Sequence, residues 1–131
     1  MPSFEVGREY SPRELLLSLG LPDEAGGGGW FRGYHRYGEE FCIFATVRPS
    51  GRPDRDRRDH WEGELLCWSA KQGSTLRERT IQELVSGRHR VHVFWRHAEE
   101  LRFVYCGDAV AKEAADTSPV TVLWSFPAKA A

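Results

Sequence analysis

The stretch EFCIFATVR, residues 40–48, decides the fold class. Phe41, Cys42, Ile43, Phe44, Ala45 and Val47 make an apolar run rich in aromatic and β-branched side chains, the composition of a central strand. Segments of like character lie on either side of it. WFRGY (residues 30–34) is short and aromatic. Residues 61–69, WEGELLCWS, read as the next extended segment. RVHVFWR (90–96) and LRFVYCG (101–107) flank a short acidic turn and read as a hairpin, and PVTVLWSF (119–126) is a final alternating strand.

Two segments have helical logic instead. In YSPRELLLSLG (10–20), Ser11 is an N-cap, Pro12 takes the first helical position, Glu14 completes a capping box and Gly20 is the stop. Pro22 forbids continuation. TIQELVS (80–86) reads as a short helix closed by Gly87. AGGGG (25–29) and PSGRPDRDRR (49–58) read as loops. No internal repeat is visible. The sum is an α+β, mainly β chain, expected to form a small mixed β-barrel with two or three short helices. A closed barrel leaves no strand edge exposed, and the connections are too short for a doubly wound parallel sheet.

At 131 residues the expectation is one domain spanning 1–131. An apolar fraction of 40% beside 28% charged residues places it among soluble globular chains. No apolar run reaches membrane-spanning length, and MPSFEVGREY lacks the apolar centre of a signal peptide. The expected location is cytoplasmic and, for a DNA binder, nucleoid-associated. Cys42, Cys67 and Cys106 stand singly in apolar segments, which suits reduced thiols. His89 and His92 lie at a strand entry, so their rings do not stand one helical turn apart, and no metal site is expected.

The net charge of −1 argues against a protein that coats polyanions. Yet 15 of the 18 basic residues are arginines. A GC-rich genome produces that bias without a functional reason; guanidinium forks suited to phosphates and base edges are the alternative. Residues 48–58 hold Arg48, Arg52, Arg55, Arg57 and Arg58 against Asp54 and Asp56, a local charge of +3.

No GxSxG, HExxH or P-loop occurs. Asp59-His60 is a pair able to orient an imidazole, and Cys67 reads as inward-facing. Asp54, Asp56 and Asp59 form a possible divalent-ion cluster of the nuclease kind, but their arginine neighbours favour an exposed salt-bridged loop. The expectation is a non-catalytic chain without cofactor or metal.

The aromatic residues are more informative. In ELLCWSAKQGST (64–75) an apolar strand reaches Trp68 and turns at once into hydrogen-bonding groups. That pattern fits either a core residue at a strand end or the floor of a pocket for a flat ligand. Trp30, Tyr34 and Trp61 lie beside loops, as at a barrel mouth. Trp124 reads as core, and Trp95 fits either place. Aromatic faces with polar neighbours suit a base that has left the duplex, with arginines holding the phosphates on either side.

The order YSPREL, FCIFAT, RDH, LCWSAK, VFWR, FVYCG and SPVTVLW resembles a small bacterial domain found C-terminally in some helicases and beside HNH-type endonucleases. The likeness spans nearly the whole chain. The domain is similar to the PUA-like β-barrels, whose SRA, EVE and YTH relatives hold modified bases in aromatic pockets. The resemblance implies a reader of duplex DNA carrying a modified cytosine, 5-methylcytosine foremost. It places Trp68 and Ser69 in the base pocket, with Lys71 and Gln72 beside them; Ala70 stands where the family pattern carries glutamine. The base pocket is therefore expected from Trp68, Ser69, Trp30, Tyr34, Trp61 and Gln72. The DNA backbone is expected to meet Arg55, Arg57, Arg58, Lys71, Ser74 and Thr75. An RNA-binding module of the same type, a small-molecule or peptide module, and a modification-dependent nuclease are the alternatives.

Overall fold

The computed structural model of the chain describes residues 3–21, 31, 33–47, 59–70, 73–98, 100–117 and 119–127. Their elements are β1 (Glu9–Tyr10), α1 (Pro12–Ser18), β2 (Gly33–Tyr37), β3 (Glu40–Val47), β4 (His60–Glu62), β5 (Leu65–Ser69), α2 (Arg79–Val85), β6 (Val91–His97), β7 (Phe103–Asp108), β8 (Val110–Ala115) and β9 (Thr121–Ser125). The mainly β class and both anticipated helices are present.

The described strands form two sheets and no closed barrel: a five-stranded sheet in the order β1-β7-β6-β3-β2 and a four-stranded one in the order β4-β5-β9-β8. β3 and β6 pair in parallel, and every other neighbour is antiparallel. Residues 61–69 are not one strand. Gly63 takes φ +64 and turns the chain between β4 and β5 into a hairpin. β1 and β8 were not anticipated.

EFCIFATV is apolar throughout because both faces of β3 are covered. Phe41, Ile43 and Ala45 point to one side, where they meet Leu66, Trp68, Val122 and Trp124 of the second sheet and Ile81 and Leu84 of α2. Cys42 and Phe44 point to the other, among Phe94, Phe103, Tyr105, the α1 residues Leu15 and Leu16, and Leu19 at its C-terminal cap. The architecture is thus layered, with α1 on one face of the larger sheet and the smaller sheet on the other. α1 is fixed locally as well: Ser11 Oγ accepts from the Glu14 N–H at 3.1 Å, and Glu14 Oε1 accepts from the Ser11 N–H at 3.1 Å. These bonds hold the Glu14 carboxyl below its usual range. Each large apolar side chain buried in these layers contributes about 1.5–3 kcal/mol.

Candidate functional site

Asp59, just before β4, is the polar hinge of the molecule. Its Oδ2 accepts from the Thr46 N–H of β3 at 3.1 Å, and its Oδ1 accepts from the Ser69 N–H of β5 at 3.0 Å. One carboxylate therefore bridges the two sheets. Both donors lie past the end of a neighbouring strand: β2 stops pairing with β3 at Gly33–Phe44, and β4 stops pairing with β5 at His60–Cys67. The carboxylate replaces the missing strand for two amides that would otherwise lack partners. Burial pushes the Asp59 carboxyl up to about 6, against the lowering pull of the two amides and of His60. From the sequence alone, Asp59 is a candidate metal ligand or an orienter of His60. The sheet-to-sheet bridge leaves no local signature, because its partners are 13 residues before it and 10 after it.

The same end of the molecule brackets the expected DNA-contacting segments. Residues 22–30 run between Leu21 and Phe31, both in the α1-face cluster, where Phe31 packs on Phe44 and Phe103; Gly33, two residues further on, pairs with Phe44, two positions before Thr46. Val47 and Asp59 bracket residues 48–58. Ala70 and Gly73 bracket residues 71–72; the Ala70 N–H donates to the Val120 carbonyl at 2.8 Å, and Ser74 Oγ accepts from the Val120 N–H at 3.0 Å. Trp30, Gln72, Arg55, Arg57, Arg58 and Lys71 themselves lie outside the described residues.

Among the described members of the expected pocket, Trp68 is placed differently from the expectation. Trp68 is 0% exposed and lies in the core between Tyr34 and Trp124, with ring centroids 6.2 Å from each. Its Nε1–H donates to the Phe44 carbonyl at 3.3 Å. In this conformation it offers no open face to a base. Alternation explains the correction: Leu66 and Trp68 share the inward face of β5, and Ala70, just after it, is buried on the same side. Cys67, expected inward, is for the same reason half-buried on the outward face.

Tyr34 is half-buried, and its hydroxyl pKa is raised by burial and then by Glu78. Trp61 is half-buried against Trp95 and Phe126, at 5.5 and 5.8 Å between centroids. Ser69 is half-buried beside Asp59. Ser74, expected at the DNA backbone, is buried and spends its hydroxyl on Val120. Thr75 is exposed, and its Oγ1 accepts from the Arg77 N–H at 3.3 Å, closing the turn before α2.

Two further polar features lie toward the start of β3. An open groove of about 260 Å³ is lined by Arg79, Gln82, Glu83, Ser86, Arg88 and His89. His89 Nδ1–H donates to the Glu39 carbonyl at 2.8 Å, which puts the groove at the far end of β3 from Asp59. On the α1 face, buried His92 lies 2.8 Å from the Tyr105 hydroxyl and 2.7 Å from Glu40 Oε1. Arg90 bonds both oxygens of Asp108 beside them. No helix among the described residues is long and apolar enough to cross a membrane.

No family model matches the chain, and no curated protein matches it either.

Proposed function

We propose that this chain is a non-catalytic module that binds duplex DNA at a modified base, with 5-methylcytosine as the leading target, and that its two sheets are a PUA-like arrangement. The observation that carries the reading is the Asp59 bridge. Beside it lie the described ends of the segments that hold the arginines of residues 48–58 and Lys71 with Gln72, and Gly33, three positions after Trp30, pairs two residues from Thr46. An aromatic, a cationic loop and an amide from distant parts of the sequence are the components that a flipped base and its flanking phosphates require.

The burial of Trp68 changes the proposed pocket. Trp68 supports its wall from behind, through Tyr34, and stacking falls to Trp30, Tyr34 and Trp61. Stacking contributes about 1–3 kcal/mol per base, while enclosing the methyl adds only about 0.8 kcal/mol. The methyl contact alone therefore discriminates a few-fold, and stronger preference needs a pocket that misplaces the unmodified base. Gel-shift titrations of duplexes carrying cytosine, 5-methylcytosine or 5-hydroxymethylcytosine test the reading. Tighter binding of one modified duplex is expected, and equal affinity for all three would refute it.

A further inference from the structure

We propose that the outward face of the β4–β5 hairpin is a zinc site formed by His60, Glu62 and Cys67. The three side chains are brought together by strand geometry. His60 and Glu62 are two apart on β4 and so share a face. Cys67 stands directly opposite His60 in the register of β5. The other face of the hairpin carries Trp61 and Leu66 into the core, so the three ligand atoms face away from it. His60 Nε2 is 3.0 Å from Glu62 Oε2, and one ligand atom from each of the three residues lies within 4.8 Å of the others.

Zinc bonds of about 2.0–2.3 Å place tetrahedral ligands roughly 3.3–3.8 Å apart. The His60–Glu62 pair, at 3.0 Å, must open by a few tenths of an ångström, and the wider spacings must close by at most about 1–1.5 Å. The adjustment falls on side chains at the surface: those of His60 and Glu62 are 40% and 54% exposed. The donor set selects the metal. Sulfur, nitrogen and oxygen together suit borderline Zn²⁺, whereas Mg²⁺ and Ca²⁺ prefer oxygen alone. On binding, the Cys67 S–H bond breaks, its proton leaves to solvent and an Sγ–Zn bond forms. Glu62 binds as carboxylate and His60 through a ring-nitrogen lone pair. Thiolate and carboxylate together balance the charge of the ion, and three protein ligands leave a fourth position for water.

Such an ion would staple the three-residue edge strand β4 to β5, next to the Asp59 bridge. The proposal does not depend on the DNA-binding reading. The test is a cobalt(II) titration of the untagged full chain under reducing conditions, followed in the near-ultraviolet for thiolate-to-cobalt charge transfer. One equivalent should saturate the band, and zinc should abolish it. Cys67→Ser should lose the band while keeping the wild-type circular dichroism. His60→Ala and Glu62→Gln should weaken cobalt binding at least tenfold. Absence of the band in the wild-type chain would overturn the proposal. So would its persistence in Cys67→Ser, which would assign the thiolate to another cysteine.

Discussion

At position 68 the indole is enclosed by Tyr34 and Trp124, and its N–H is held by the Phe44 carbonyl. Removing it leaves a cavity in the core between the sheets. Trp68→Ala should cost about 3–5 kcal/mol, read as a lowered denaturant midpoint. An unchanged midpoint would contradict its core placement. The polar run after Trp68 suggested a pocket floor, but period-two alternation with Leu66 and Ala70 was equally visible and wins. Asp59 allows a second residue-level test. Its carboxyl is raised to about 6 from an ordinary 3.8, so between these values the folded chain holds more protons than the unfolded one. Stability should therefore fall as pH rises from about 4 to about 6, by on the order of 3 kcal/mol at most, and then level off. Asp59→Asn should flatten that slope in urea titrations at stepped pH; a wild-type slope in the variant would place its origin elsewhere.

Among the elements, α1 was legible because its signals are local: cap, proline and capping glutamate act within four residues. β3 was legible from its unbroken apolar run, and β9 from its alternation. β8 was not, since VAKEAA is built of helix-favouring, largely exposed residues and becomes a strand only by pairing with β9. Tertiary pairing overrides propensity there. The β4–β5 turn is hidden for the opposite reason: apolar Trp61 and Leu65–Leu66 flank Glu62-Gly63-Glu64 closely enough to read as one extended segment rather than a two-strand hairpin. β7 contains a finer device. Phe94 pairs with Tyr105 and Val93 with Gly107, so Cys106 is an extra residue in a bulge, next to Gly107 at φ +100. A Cβ at Gly107 would also stand 3.2 Å from Val6 Cγ2. Gly107→Ala should thus cost about 1–3 kcal/mol, measured by thermal unfolding; wild-type stability would show that the bulge tolerates a side chain.

For the whole molecule, Asp59 bridges the two sheets, and residues 48–58 run from Val47, next to Thr46, back to Asp59 itself. Composition could place arginines and tryptophans in the segments proposed to meet DNA, but it could not show that Thr46, Asp59 and Ser69 meet, because the connecting hydrogen bonds are long-range. If residues 48–58 meet phosphates, Arg57→Ala should weaken binding to every duplex alike. It should also make the salt dependence shallower by about one phosphate contact, a change of roughly 0.9 in the slope of log affinity against log salt. Loss confined to methylated duplex would instead assign Arg57 to the base. Recognition by base flipping has its own optical signature. A duplex with 2-aminopurine beside a single 5-methylcytosine reports the loss of stacking when the methylated base leaves the helix. Saturating protein should raise its fluorescence well above that of the matched unmethylated duplex. Saturated binding with no rise in either would contradict a reader that extrudes its target.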